Sequence, residues 1–273
     1  MGDMGTGRED QKKVAAAMIQ QAKSDSLNFI LTVGDNIYEK GVTSADDPLW
    51  KSAIEDVYND PALMVPIYAS LGNHDHYGVV EAQLEYAKKN KRWKMPGRYY
   101  TFIRTLADMT DVQFFAIDTY PITNEKAAEK YPVEPQLEWL DKALGESKAR
   151  WKIVFGHHPL YSHVEKPREI ERQAMIRQVE PLLIKHKVDL CLFGHDHTLE
   201  MLKPVNGVNH VITGASAGPD KAYGVVWNEN EAFYASTGDG FTFYRVSKNE
   251  LVIEFVRMSG ETQFVHVLNK SGT

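Results

Sequence analysis

The sequence predicts an α/β (α+β) fold in which two mixed β-sheets pack face to face and helices cover their outer surfaces. The main observation is that four apolar, strand-like runs each end in a glycine followed by polar residues, with helix-like segments between them. A second observation is that the last quarter of the chain contains short strand-like runs separated by turn residues. Because 273 residues with 43% hydrophobic side chains can bury one large core, we expect a single domain over residues 1–273.

The predicted helices are amphipathic segments with start or stop signals at their ends. In the first of them, Val14, Met18 and Ala22 recur about one helical turn apart. Two others contain Pro48 and Pro135 near the first turn, where a proline is tolerated best. Helices are therefore expected at residues 8–23, 46–57, 80–89, 135–144 and 169–187.

The predicted strands are short runs rich in β-branched and aromatic residues. In the first part of the chain they alternate with helices, as in βαβ units, and are expected at residues 29–33, 66–71, 98–103, 112–117, 152–155 and 190–193. In the last part they follow one another, which favours antiparallel pairing, and are expected at residues 210–213, 240–246, 251–257 and 263–268.

Charge and composition argue against several functional classes. A net charge of −6 gives no basic surface, so we expect no nucleic-acid partner. The only cysteine, Cys191, lies in an apolar run, so we expect a buried, inert thiol and no intrachain disulfide. No apolar run approaches the roughly 18 residues that span a bilayer, so no transmembrane segment is expected.

The start of the chain carries part of the strand-end pattern. Met1-Gly2-Asp3-Met4-Gly5 has the glycine followed by an aspartate, but not the apolar run that precedes them elsewhere. We therefore expect the N-terminal strand to be truncated, and the missing upstream segment could have carried a targeting sequence. No signal peptide is visible, and the single cysteine leaves the compartment open.

Polar clusters follow the glycine at each of the four strand ends. The carboxyl ends of strands in an open α/β sheet collect ligands, and glycine lets the backbone turn sharply there. Three of these loops contain seven of the ten histidines. Imidazole, carboxylate, amide and phenol without thiolate describe an N/O metal site for iron, manganese or zinc. The clusters are Gly34-Asp35-Asn36-Ile37-Tyr38, Gly72-Asn73-His74-Asp75, Gly156-His157-His158 and Gly194-His195-Asp196-His197.

Together with Asp3-Met4-Gly5, these clusters resemble, in order, the five motifs of the purple acid phosphatases within the calcineurin-like metallophosphoesterases. The resemblance covers nearly the whole chain and is to the compact, mammalian-type branch, which includes the tartrate-resistant acid phosphatases. It implies a four-layer αββα sandwich. It also implies a binuclear acid phosphatase that hydrolyses small-molecule phosphomonoesters by attack of a metal-bound hydroxide. A secreted, periplasmic or lysosome-like location is implied if a signal peptide has been removed.

The resemblance further implies a ligand set for two metal ions, with Asp35 bridging them. One ion would be held by Asp3, Asp35, Tyr38 and His197, and the other by Asp35, Asn73, His157 and His195. The expected pair is Fe(III) with Fe(II), Zn(II) or Mn(II). A Tyr38 phenolate is a hard anionic donor that suits Fe(III), and its charge transfer would give the purple colour.

The resemblance also suggests catalytic histidines. His74 is expected to bind the phosphoryl oxygens and to protonate the leaving group. Asp75 is expected to orient His74, and His76 to lie in the surrounding shell. The family's second active-site histidine has no matching position, so we expect His163 to replace it, Lys166 to act as an electrostatic substitute, or His74 to act alone.

Two other functions stay open in the sequence. The chain could be a phosphodiesterase or nucleotide pyrophosphatase of the same superfamily, because leaving-group preference would depend on loops 162–168 and 221–233. It could also be a non-catalytic scaffold, since some relatives have lost metal ligands. Here all seven ligand positions are filled, which favours an enzyme. The natural substrate, the divalent metal and the oligomeric state are not predicted.

Overall fold

The computed structural model describes residues 1–165, 168–218, 224–226 and 228–270. In these ranges the helices are α1 (Glu9–Ser24), α2 (Asn73–Tyr77), α3 (Val80–Lys89), α4 (Tyr120–Thr123), α5 (Glu125–Lys130), α6 (Glu134–Glu146), α7 (Glu169–Gln178) and α8 (Glu180–Lys185), with a π-helical segment at Trp50–Glu55 and a 3₁₀ turn at Pro61–Leu63. The strands are β1 (Ile30–Val33), β2 (Ile67–Ser70), β3 (Trp93–Lys94), β4 (Tyr100–Thr105), β5 (Asp111–Ala116), β6 (Trp151–Phe155), β7 (Leu190–Phe193), β8 (Thr198–Leu202), β9 (Asn209–Thr213), β10 (Ala232–Thr237), β11 (Gly240–Val246), β12 (Glu250–Arg257) and β13 (Thr262–Asn269).

The larger sheet has seven strands in the order β10-β8-β9-β7-β6-β5-β4. Its central strands β5, β6, β7 and β9 run parallel to one another. The strands toward its edges, β4 on one side and β8 and β10 on the other, pair antiparallel. The sheet is therefore mixed, as the alternating and consecutive strand patterns predict.

The second sheet layer consists of a parallel group, β1-β2-β3, and an antiparallel group, β11-β12-β13. The first residues of the chain lie between the two groups. Val33 N donates to Met1 O at 2.9 Å, and Ser216 N donates to Gly2 O at 3.2 Å. Gly240 N in turn donates to Ala215 O at 2.7 Å. These backbone hydrogen bonds join the two three-stranded groups into one layer. With the seven-stranded sheet, the structure therefore has two sheet layers.

Alternating side chains separate an inner core from an outer one. On β6, Ile153 and Phe155 join the inner cluster between the two sheet layers, while Val154 joins the outer cluster. The outer cluster includes Leu140 of α6 and Met175 of α7. The expected mixed α/β fold with helices outside two sheets is confirmed. No helix within the described ranges is long and apolar enough to cross a membrane.

The structure differs from the sequence expectation in several places, which include two expected helices and two strands of the larger sheet. The single helix expected at 169–187 is divided into α7 and α8, because Pro181 lacks the amide hydrogen that a continuous helix needs. The helix expected at 46–57 is only the short segment Trp50–Glu55. Strands β8 and β10 were not expected; all five side chains of β8 are buried, so its sequence lacks the polar alternation of a half-exposed strand.

Candidate metal centre

The loops that follow β1, β2, β6 and β7 meet at one edge of the sandwich, together with the start of the chain. Their glycines leave room for acidic side chains. A Cβ atom at Gly72 would lie 2.1 Å from Asp35 Oδ1, and one at Gly194 would lie 2.4 Å from Asp3 Oδ2. Only glycine fits at such distances. The backbone is thus shaped around two buried carboxylates.

Asp3, Asp35, Tyr38 and His197 bring their polar atoms together. Tyr38 Oη lies 3.2 Å from Asp3 Oδ1, 3.0 Å from Asp35 Oδ2 and 3.2 Å from His197 Nε2. His197 Nε2 is also 3.3 Å from Asp3 Oδ1. The first predicted ligand set is therefore assembled, with its oxygen and nitrogen atoms turned toward one another.

His157 and His195 lie on the other side of Asp35. His157 Nε2 is 3.3 Å from Asp35 Oδ2 and 3.1 Å from His195 Nδ1. His157 Nδ1 donates to Val33 O at 2.8 Å, so the lone pair of the neutral ring is on Nε2 and faces this cluster. The ligand atoms of Asp3, Asp35 and His157 all lie within 4.8 Å of one another, which is the spacing of a metal-binding group.

Asn73 supplies a further indication that a cation belongs here. Its Nδ2 donates to Tyr77 Oη at 3.2 Å, but its Oδ1 is buried and, within the described part of the chain, has no hydrogen-bond partner. Buried polar atoms are nearly always paired. An unpaired amide oxygen beside a carboxylate and imidazole cluster fits a metal ligand.

The backbone is strained at four of the seven predicted ligands. The φ angle is +57° at Asp3, +49° at Asp35, +71° at His195 and +51° at His197. Residues other than glycine rarely adopt the left-handed region, and such conformations cost about 1–3 kcal/mol each. Strain concentrated in one cluster is typical of a functional site.

The electrostatics of the cluster also favour a bound cation. Asp3 is fully buried and Asp35 is 2% exposed. Burial opposes the charge on His157, but the carboxylates of Asp35 and Asp3 outweigh it and raise the pKa of His157 to about 10. Burial, followed by the same two carboxylates, raises the pKa of Tyr38 well above its usual value. A metal ion would supply the positive charge that the protein otherwise takes from protonated His157.

Asp75 holds two of the loops together. Its carboxylate accepts hydrogen bonds from Asn36 N at 3.1 Å, Gly72 N at 2.8 Å and Gln83 Nε2 at 2.7 Å. Asn36 belongs to the loop after β1 and Gly72 to the loop after β2. The partners of Asp75 are therefore groups other than the His74 ring, which sequence analysis expected it to orient.

His74 lies at the opening of the cluster. Its backbone amide donates to Asp35 Oδ1 at 2.9 Å, and its ring Nδ1 lies 2.6 Å from Glu39 O. The ring centroid is 4.6 Å from that of Tyr38. Because a carbonyl oxygen only accepts, Nδ1 carries a proton and Nε2 is the ring atom left for exchange with a substrate.

The other two predicted histidines point to different partners. His76 Nε2 lies 2.8 Å from Asp118 Oδ1, and Asp118 also pairs with Arg98 at 2.7 Å. His163 Nε2 lies 3.2 Å from Glu231 Oε2 and its Nδ1 lies 3.4 Å from Glu200 Oε2. Lys166, the alternative to His163, lies outside the described residues.

Sequence reasoning assigned no contact with the ligands to two groups that lie beside them. Glu171 Oε2 of α7 lies 2.8 Å from His195 Nε2. Arg168 donates to His195 O at 3.2 Å. Neither residue is part of a strand-end motif, so the sequence carries no local signal for them.

A sequence model of the family described as Calcineurin-like phosphoesterase matches residues 1–199. The fold and the residues at its strand ends agree with this match, and the chain belongs to that family. Tartrate-resistant acid phosphatase type 5 of Sus scrofa is 32% identical over 92% of this chain and 78% of its own length. Purple acid phosphatase 4 of Arabidopsis thaliana is 31% identical over 96% of this chain and 80% of its own length. The expected resemblance to purple acid phosphatases is confirmed.

A solved structure is also similar to the whole chain. It is Plasmodium GAP50, described as the anchor in the inner membrane complex. The TM-score is 0.85 at 27% identity, and the match covers 100% of this chain and 88% of that one.

Proposed function

We propose that the protein is a binuclear metal-dependent acid phosphatase that hydrolyses phosphomonoesters. The observation that carries the proposal is the position of Asp35 between two groups of ligand-type atoms. Asp35 Oδ2 lies 3.0 Å from Tyr38 Oη of the first proposed ligand set and 3.3 Å from His157 Nε2 of the second. The acid phosphatases among the relatives support the same activity.

The two proposed metal sites share Asp35. The first would use Asp3, Asp35, Tyr38 and His197, and the second Asp35, Asn73, His157 and His195. We propose Fe(III) in the first site, because it would include the phenolate, and Fe(II), Zn(II) or Mn(II) in the second, which has nitrogen and neutral oxygen donors. When bound, the two ions would supply positive charge for a phosphate ester and would acidify a water nucleophile.

His74 is proposed as the general acid. Glu39 O holds the proton on Nδ1 of His74, so protonated His74 offers the second proton, on Nε2, to the leaving-group oxygen. His74 is partly exposed at the opening of the buried cluster, which is where a leaving group must depart. His163 is the second candidate, but its position between Glu200 and Glu231 supports this role less directly.

The scaffold alternative is not favoured. A chain selected only for anchoring has no need for strained ligand conformations or for a buried amide oxygen without a partner. The anchoring role of GAP50 belongs to that protein. The phosphodiesterase alternative is also not favoured by the relatives, which are acid phosphatases.

Metal analysis, a visible spectrum and a substrate comparison test the proposal together. We expect two metal ions per chain, a visible absorption band, and faster hydrolysis of an alkyl or aryl phosphomonoester than of the matched diester in acid. Asp35→Asn is the matched inactive control. Two metals with a preference for the diester would instead favour the phosphodiesterase, and a metal-free, inactive wild type would overturn the proposal.

A further inference from the structure

Glu171 lies behind one of the proposed ligands, on the side away from the metal centre. It belongs to the first turn of α7, and 24 residues separate it from His195, yet its Oε2 is 2.8 Å from His195 Nε2. The side chain of His195 is 7% exposed and that of Glu171 is 32% exposed. This contact is thus a partly buried one between two distant segments of the chain.

The contact determines which nitrogen of His195 carries the proton. A carboxylate accepts hydrogen bonds, so the proton of a neutral His195 ring is on Nε2 and points to Glu171. The lone pair is then on Nδ1, which lies 3.1 Å from His157 Nε2. In the neutral form of His157 that can bind a metal, the lone pair is on Nε2, because Nδ1 donates to Val33 O. Two lone pairs that face each other at this distance attract a common cation.

From this arrangement we propose that Glu171 is a positioning residue for the second metal ion: its carboxylate holds His195 in the tautomer that presents Nδ1 as the ligand. The inference rests on the proposed function for the existence of that ion. Carboxylates that accept from a ligating histidine fix the ring and increase its basicity, and their loss typically lowers metal affinity about 10–100-fold. Glu171 would not touch the substrate.

A structural explanation of Glu171 predicts a different result. Acidic residues in the first turn of a helix interact favourably with its dipole, and α7 has two of them, Glu169 and Glu171. Glu169 pairs with Arg172 and Gln173 of the same helix and is exposed. If helix stability were the whole role of Glu171, both glutamates would be equivalent. Glu169→Ala is therefore the matched control.

The experiment measures metal binding to the full chain. The wild type, Glu171→Ala, Glu171→Gln and Glu169→Ala are titrated with Fe and Zn, metals per chain are counted after dialysis, and the visible band is recorded. We expect Glu171→Ala to weaken the second ion about 10–100-fold. The visible band should persist, because Tyr38 belongs to the first site. Glu171→Gln, which retains a carbonyl acceptor, should lose less, and Glu169→Ala should match the wild type.

The outcomes separate this inference from the proposed function. Equal affinities in Glu171→Ala and Glu169→Ala, with two metals and phosphatase activity in the wild type, would overturn the inference alone. A wild type that binds two metals without phosphatase activity, and loses one of them in Glu171→Ala, would overturn the proposed function alone. Loss of the visible band together with both ions in Glu171→Ala would also overturn the inference, because the effect would then not be specific to the second site.

Discussion

Among the described residues, the proposed metal centre and the surroundings of Glu200 both combine buried carboxylates with histidines, but they differ in how many hydrogen-bond donors reach the carboxylates. The proposed metal centre comprises Asp3, Asp35, Tyr38, Asn73, His157, His195 and His197. The Glu200 cluster comprises Glu200, His163, Glu231, Ser162 and Thr198. Both contain acidic side chains that are fully or nearly fully buried. Residue types alone therefore do not distinguish them.

In the Glu200 cluster the buried charge is satisfied by the protein. Glu200 Oε1 accepts from Thr198 Oγ1 at 2.6 Å, and Oε2 accepts from His163 N at 2.9 Å. His163 Nδ1 lies 3.4 Å from Oε2, although it makes no hydrogen bond within the described residues. In the proposed metal centre, by contrast, two imidazole nitrogens face each other, and Asn73 Oδ1 has no hydrogen-bond partner among the described residues. A cation site is therefore indicated by buried acceptor atoms that lack hydrogen-bond donors, and not by the number of ligand-type residues alone.

The largest expected effect comes from Asp35→Asn, which removes the carboxylate charge that we propose both metal sites share. We expect loss of both metals and a fall in phosphatase rate of more than about 10³-fold, or about 4 kcal/mol of transition-state stabilisation. Elemental analysis and steady-state rates measure the two effects. Glu200→Gln is the control from the other cluster: it should keep two metals but cost about 1–3 kcal/mol of unfolding free energy. A variant Asp35→Asn with two metals and near-full activity would show that Asp35 is not the bridge.

Tyr38→Phe removes the hydroxyl of one proposed ligand and keeps the ring. The ring packs near His74, at a centroid distance of 4.6 Å, so the protein should stay folded. We expect the visible band to disappear completely, because the phenolate that supplies the charge transfer is gone. Circular dichroism tests whether the protein stays folded, and the visible spectrum tests whether the band disappears. A band that persists in Tyr38→Phe would contradict the assignment of Tyr38 as a ligand.

His74→Ala should affect substrates unequally. General acid catalysis typically contributes about 10²–10⁴-fold and matters most for poor leaving groups. We therefore expect a large loss of rate on alkyl phosphates, a much smaller loss on activated aryl phosphates, and unchanged metal content. If His163 replaces the family's second active-site histidine, His163→Ala should also lose more rate on alkyl than on aryl phosphates, but both losses should be smaller. Equal losses on both substrates for His74→Ala would mean that it positions the phosphate instead.

His163→Ala should also change how stability depends on pH, which sharpens the comparison further. The neighbouring Glu200 carboxylate raises the pKa of His163, and burial opposes this only in part. Because the pKa of His163 is higher in the folded protein, protonated His163 stabilises the fold fully below the pKa of the unfolded state, about 6.5. This stabilisation is lost as the pH rises through the pKa of the folded state. The difference in Tm between wild type and His163→Ala should therefore be largest in acid and shrink in alkali. Metal addition should leave that difference unchanged, and a difference that depends on metal would place His163 in the metal centre.

Much of the fold follows from local patterns. Strand β7 and strand β11 have the predicted bounds or nearly so, because an apolar run bounded by glycine or turn residues is a local property of the sequence. Strand β8 was missed because its side chains, including Glu200, are all buried by distant parts of the chain. The break between α7 and α8 lies at Pro181, and it was missed because the apolar periodicity continues across that residue.

By itself, the sequence determined which polar residues lie at the ends of the strands, since each glycine and the polar residues after it form a local motif. Tertiary structure decided what those groups do. It turned Asp75 toward the backbone of two loops, joined His163 to Glu200, and brought Glu171 to His195 across 24 residues. The physical reason is that the residue types able to bind a metal are visible in short segments of the sequence. A hydrogen-bond partner, in contrast, is the group that the folded chain places within about 3 Å.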